Sequence, residues 1–125
     1  MAEFDNYRRR TSQEKLDLVS MASKDTIEGL LPVLDDCERA LQMISDEESR
    51  KGVELIYNKM MNYLKTKGLE VIQAKDMDFD TDLHEAVAQF PVPEEEKKGK
   101  IFDVAQTGYT LNGKVIRYAK VVVGI

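Results

Sequence analysis

The first 28 residues contain neither glycine nor proline. They are instead rich in Ala, Glu, Gln, Lys, Arg and Leu, the residues that lose least on entering a helix. From Ala2 to about Glu28 the sequence predicts a helix of roughly 40 Å at 1.5 Å per residue, longer than a small domain is wide. Its apolar positions are sparse: Phe4, Tyr7, Leu16, Leu18, Val19, Met21 and Ala22, interrupted by Thr11, Ser12, Ser20 and Ser23. The rest of a 125-residue chain cannot cover so long a helix with so thin a stripe. It needs a partner, and a second copy of itself is the simplest one.

Gly29 and Pro32 then punctuate the pattern. Glycine suits the residue just past a helix end, proline suits the first turn of the next helix, and Leu31, preceding the proline, is pushed away from helical angles. A break or sharp kink is therefore expected near residues 29–32. Around and beyond it, Ile27, Leu30, Leu34, Cys37, Leu41 and Ile44 recur at spacings of three and four, the seam of a coiled coil or bundle. Ser45, with Glu48 three residues on, predicts a capping box opening another helix. That helix carries Val53, Ile56, Tyr57, Met60, Met61 and Leu64 on its apolar face, and Gly68 ends it. Two helices joined by a short loop form an antiparallel hairpin, and hairpins from two chains would make a four-helix bundle.

After Gly68 the character changes. Leu69–Ile72 and Ile101–Ala105 are strand candidates, Phe79–Phe90 is mixed, and Pro91, Pro93 and the charged run 94–99 predict an exposed loop. Asn112-Gly113 between alternating apolar residues is a strong two-residue hairpin signal, because both turn positions need positive φ. Such a turn pairs Leu111 with Lys114, Tyr109 with Ile116 and Gly108 with Arg117. Along a second strand from Lys114 to Val123, Ile116, Tyr118, Lys120 and Val122 then share one face, and Val115, Arg117, Ala119, Val121 and Val123 the other. Arg117 would lie among apolar neighbours, opposite a glycine that leaves it room, and needs a carboxylate or carbonyl partner there. The expected class is α+β: a helical dimerisation region over residues 1–67, forming a dimeric coiled coil or four-helix bundle, and a small β-domain over 68–125.

Several function classes drop out. A net charge of −5 disfavours nucleic acid, whose phosphates attract an excess of Lys and Arg. Arg8-Arg9-Arg10 is flanked by Glu3, Asp5, Glu14 and Asp17, so a solvated helix face and a protein contact both fit it. Cys37, the only cysteine, excludes an intrachain disulfide, suits a reducing compartment and sits where a small core side chain fits. No apolar run of about 18 residues and no charged-then-apolar opening are present, which favours a cytoplasmic protein without a membrane partner. His84 has no neighbouring His or Cys and reads as a hydrogen-bonded fold residue. Gly108 and Gly113 make turns or space rather than a phosphate cradle, since no helix follows them. No metal, cofactor, small-molecule substrate or enzymatic chemistry is expected from this inventory.

Several stretches together resemble the GrpE family of co-chaperones across essentially the whole chain. Ala2-Glu3-Phe4-Asp5-Asn6-Tyr7-Arg8-Arg9-Arg10-Thr11 resembles the family's long-helix motif. Leu30-Leu31-Pro32-Val33-Leu34-Asp35, followed by Glu38-Arg39-Ala40-Leu41, resembles the passage into the bundle. Gly52-Val53-Glu54-Leu55-Ile56-Tyr57 and Gly68-Leu69-Glu70-Val71-Ile72 resemble the last helix and its exit. The most specific match is C-terminal: Phe79-Asp80, His84, Ala86 and Val87, then Gly108-Tyr109, Gly113, Ile116, Arg117, Ala119, Val121 and Val123. Thr81 and Lys114 depart from a common proline and arginine, and the loop after Ala40-Leu41 is short. The chain begins inside the long-helix motif, so an N-terminally truncated form is expected.

The resemblance implies a non-enzymatic homodimer that binds the ATPase domain of a DnaK-type chaperone and promotes ADP release by stabilising the open cleft. It implies chaperone contacts at Arg8, Arg9, Met43, Gly52, Phe79, Lys114 and Val123. Pairing through the long helices and bundle would place Phe4, Tyr7, Ile27, Leu30, Leu34, Leu41, Ile56 and Met60 between copies. A dimeric coiled-coil adaptor without exchange activity is the alternative; it accounts for the helices but not for the β signature after them.

Overall fold

Helix-forming residues run without a competing turn from the N-terminus, and helix α1 occupies Ala2–Met43 as one element. The structure, a computed structural model, describes residues 2–125. The break expected at 29–32 does not occur: Pro32 lies inside α1, and Leu31 is helical and only 2% exposed. An interior proline costs about 3 kcal/mol by removing one N–H from the helical ladder. Burial of Ile27, Leu31 and Leu34 around it returns roughly 1.5–3 kcal/mol per side chain. The apolar face outweighs the local signal.

The chain divides into two compact units, one ending at Val33 and the other spanning Leu34–Ile125. In the first, residues 2–26 are exposed apart from a half-buried Thr11. Contacts along this stretch join successive turns: the Arg8 guanidinium sits 4.6 Å from the Phe4 ring centroid, and Gln13 Nε2 donates to Asp17 at 3.0 Å. Such exposed pairs contribute tenths of a kcal/mol, on the order of 0.2–0.5 each.

The second unit begins with the last turns of α1 and continues through α2 (Glu47–Thr66). The cap of α2 is Asp46 rather than Ser45. Its carboxylate accepts from the Ser49 N–H at 3.1 Å and from the Ser49 hydroxyl at 2.6 Å, so the cap pair lies one residue later than the capping box placed it. A carboxylate at this position also meets the positive end of the helix dipole. At the other end Lys67 and Gly68 N–H groups close onto the carbonyls of Leu64 and Lys65, and helix gives way to strand at Leu69.

Six short strands follow: β1 Leu69–Val71, β2 His84–Phe90, β3 Ile101–Gln106, β4 Tyr109–Leu111, β5 Lys114–Arg117 and β6 Ala119–Gly124. They form two three-stranded sheets, ordered β1-β4-β5 and β2-β6-β3. Between β2 and β3 the charged run contains a single 3₁₀ turn, Glu95–Lys97, beside a buried Val92. The turn of the β4–β5 hairpin has Asn112 at φ 51° and Gly113 at φ 82°, as its sequence demanded.

The hairpin register departs from expectation beyond the first pair. Leu111 faces Lys114, but a bulge between Tyr109 and Thr110 sets Tyr109 opposite Arg117 and not Ile116. The segment from Lys114 to Val123 is not one strand either. It leaves the first sheet at Arg117 and enters the second at Ala119, with Tyr118 exposed between. A bulge increases local twist and bends its strand, which turns the chain from one sheet to the other. Gly108 accordingly makes room for Ala119 rather than for Arg117: an added Cβ would lie 2.3 Å from the Ala119 nitrogen. The β core gathers Ile72, Ala74, Ile101, Ala119 and Val121, with Phe79, Leu83, Val104, Val115 and Val123 packed against it.

Candidate functional site

Arg117 ends β5 on the half-buried side of its sheet, where an unpaired guanidinium would be costly. Both partner types expected for it are present. Its Nη1 and Nη2 donate to the two carboxylate oxygens of Asp35 on α1, each at 2.7 Å. Nε and Nη2 also donate to the Thr107 carbonyl at 3.0 and 2.6 Å. The side chains of Arg117 and Asp35 are 18% and 20% exposed, so the pair is largely withdrawn from water, and the planar fork matches the carboxylate on both oxygens. One helical turn on, Glu38 accepts from the Tyr57 hydroxyl of α2 at 2.9 Å and from the Thr107 hydroxyl at 3.0 Å. The guanidinium lies 5.2 Å from the Tyr109 ring centroid.

This cluster perturbs its tyrosines. Burial, and then the hydrogen bond and charge of Glu38, push the Tyr57 phenol far above its ordinary range. Tyr109 is raised as well, by burial first and the Glu38 charge second, with Arg117 opposing. Its hydroxyl is buried without a hydrogen-bond partner. A raised phenol pKa favours the neutral form in the fold, so that contribution to stability is fully present below the ordinary tyrosine value and is lost as the pH rises from there through the raised one.

Sequence reasoning found Arg117 and its need for a partner but missed Asp35, Glu38, Tyr57 and Thr107. The available signal was two carboxylates three positions apart beside the buried Leu34, and a tyrosine in the apolar face of α2. Neither says which strand it meets.

His84 is 4% exposed, and its Nδ1 accepts from the Asp80 N–H at 3.0 Å, the fold role its isolation suggested. Cys37 is half-buried. The positions assigned to partner contact do not form one kind of surface. Arg8, Arg9, Met43, Gly52 and Lys114 are exposed, whereas Phe79 and Val123 are half-buried and lean on the β core. Of those assigned to pairing between copies, Phe4, Tyr7 and Ile56 are exposed, Leu30, Leu41 and Met60 half-buried, and Ile27 and Leu34 buried within the single chain.

On α2, Gly52, Leu55, Ile56, Lys59 and Tyr63 fall on one stripe at about 100° per residue. All five are exposed, the apolar ones by 61–70%. Gly52 and Ile56 thus occupy adjacent places on the same surface. A second exposed apolar feature was not anticipated: Phe90 and Phe102, from the two outer strands of the second sheet, stack with centroids 4.5 Å apart.

Among the described residues there is no group of three or more His, Cys, Asp or Glu arranged to hold a metal. No described helix is long and apolar enough to cross a membrane. The fold defines an α+β protein whose exposed features are apolar helix and sheet surfaces, and whose densest polar cluster is closed upon itself.

Comparison with known proteins places this architecture. The GrpE family model matches residues 1–124, and the chain belongs to that family. It is 55% identical over 127 residues to the Protein GrpE of Bacteroides fragilis, with 98% of this chain and 65% of that protein aligned. It is 51% identical to the Protein GrpE of Porphyromonas gingivalis strain W83, covering 99% of this chain and 66% of that one. Against the Protein GrpE of Methanosphaera stadtmanae the identity is 42%, over 96% and 69% of the two chains. The chain thus spans about 65% of the length of the Bacteroides fragilis relative that it matches.

Proposed function

We propose that this chain is a nucleotide exchange factor: a homodimer that binds the ATPase domain of a DnaK-type chaperone in the cytoplasm and promotes ADP release by stabilising the open cleft. Membership of the GrpE family over residues 1–124 carries the reading. The exposure of Phe4, Tyr7, Leu18 and Met21, each 56–67%, supports the pairing of copies, since at about 100° per residue these four share one helix face that a second helix can cover.

The mechanism requires no reacting group. A protein that binds the open, nucleotide-free ATPase more tightly than the closed one must weaken ADP by the same factor, because the two equilibria are linked. Couplings of this kind are typically about 5- to 150-fold. Surface contact that differs between the two chaperone states is sufficient. Arg8, Arg9, Met43, Gly52 and Lys114 are the exposed candidates for that contact, with Phe79 and Val123 contributing at the margin of the β core.

Release of fluorescently labelled ADP from a DnaK-type ATPase domain tests the proposal. The chain should accelerate release in a saturable manner. No acceleration at saturating protein would leave a coiled-coil adaptor as the better description.

A further inference from the structure

We infer that the Asp35–Arg117–Glu38 cluster is a positioning device that keeps the β4–β5 hairpin rigid against the two helices, and that this rigidity gives the protein its discrimination between chaperone states. The inference rests on the exchange-factor reading.

The cluster contains the longest-range side-chain hydrogen bonds among the described residues: Arg117 to Asp35 across 82 positions and Thr107 to Glu38 across 69. Each element it joins carries one of the proposed contacts. Arg117 closes β5, whose first residue is Lys114. Asp35 and Glu38 lie in the last turns of α1, which ends at Met43. Tyr57 lies in α2, five positions after Gly52. Three contact points on three elements are therefore referred to a single polar knot.

The chemistry suits fixing rather than merely adhering. Apolar burial is non-directional and tolerates sliding, whereas a two-point guanidinium–carboxylate pair sets both distance and orientation. The second carboxylate has no cation of its own and is held by two hydroxyl donors, Tyr57 from α2 and Thr107 from the turn before β4. Removing one member leaves a largely desolvated charge without its counterpart, so the arrangement resists partial opening.

Rigidity matters because a flexible wedge adapts to both chaperone conformations. A ligand with equal affinity for two states shifts nothing, however tightly it binds. A loosened hairpin could satisfy the closed, ADP-bound domain as well as the open one. Binding would survive while coupling disappeared.

The test uses the full chain carrying Arg117→Lys, which keeps the charge but loses the fork, and separately Asp35→Asn, which keeps the shape but loses the charge. Affinity is measured for the ADP-loaded and the nucleotide-free ATPase domain of a DnaK-type chaperone, and labelled-ADP release at saturation. The ratio of the two affinities should fall roughly tenfold toward unity, with a matching fall in maximal release rate and undiminished affinity for the ADP-loaded form. An unchanged ratio in both variants overturns the inference, as does an equal loss of both affinities, which marks an ordinary contact or a fold defect. Loss of strand signal in the circular dichroism of both variants overturns it too, by making the cluster a requirement of folding. Failure of the unsubstituted chain to speed release would instead strike the exchange-factor reading itself.

Discussion

Replacing Gly52 by alanine should change stability and chaperone affinity in opposite directions. Gly52 is the sixth residue of α2, exposed, and a Cβ built there meets nothing within 4 Å. Nothing in the free chain opposes a side chain, so the helix-propensity gain of about 1 kcal/mol should be realised in full. For a unit of the size of Leu34–Ile125, that raises Tm by roughly 4–8 °C, read by calorimetry at fixed protein concentration because the proposed pairing would make Tm concentration-dependent. If Gly52 admits close approach of the chaperone, the same methyl overpacks the contact at about 1–3 kcal/mol, a loss of roughly 5- to 150-fold in affinity. Gly52→Asp should lose more, since a carboxylate must also be desolvated. Light scattering on both variants separates the rival assignment, in which the neighbouring Ile56 draws this stripe into the interface between copies. A Tm gain with unchanged chaperone affinity would show that Gly52 is only a weak point in a helix. A fall in Tm would refute the steric reasoning itself.

Two further outcomes follow from local geometry. Gly108→Ala should destabilise the β-strand region by about 3 kcal/mol, because the new Cβ would meet Ala119 backbone atoms at 2.3 and 2.8 Å; an unchanged urea midpoint would disprove the close approach. The Asp46 carboxyl is held below its ordinary value by the Ser49 hydroxyl and then the Ser49 N–H. A depressed pKa means the cap's contribution is present above the ordinary carboxylate value and is lost as pH falls through the lowered one. Helicity should therefore fall less with acid, from about pH 4 downward, in Asp46→Asn, which caps without titrating. Identical acid profiles for the two proteins would contradict it.

The sequence was most informative where a local rule and its structural demand coincided. Asn112-Gly113 announced its turn because few other pairs accept two positive φ values. Alternation correctly put Ala119 and Val121 inward, and both are fully buried. Pro32 misled because proline's preference is the energy of one residue, and the buried Ile27, Leu31 and Leu34 on the same helix outweigh it. The hairpin register slipped at Tyr109 for a different reason. A bulge is an added residue in one strand, and no side chain there signals it in a one-dimensional pattern. Asp35 and Glu38 were invisible as a pair of supports, because a helix shows which residues share a face but not what that face meets. The exposed features divide likewise: Gly52 was conspicuous as a glycine inside a helix, while the stacking of Phe90 on Phe102 depends on how two separate strands are placed in a sheet, which no local pattern gives.

A small β region next to short helix segments faces a physical problem that apolar packing does not solve. The buried side chains of the second unit, such as Leu34, Leu64, Leu69 and Tyr109, hold their elements close, but rotations that keep the same area buried cost little. Charged groups with few permitted geometries remove those rotations, at a desolvation penalty that can exceed their attraction. The cluster limits the penalty in two ways. The Arg117 and Asp35 side chains are about one-fifth exposed rather than fully buried, and the spare carboxylate of Glu38 is matched to hydroxyl donors that bring no further charge into the interior. The gain is a fixed orientation more than added stability, and a protein acting as proposed, by fitting one shape of its partner better than another, would need the first more than the second.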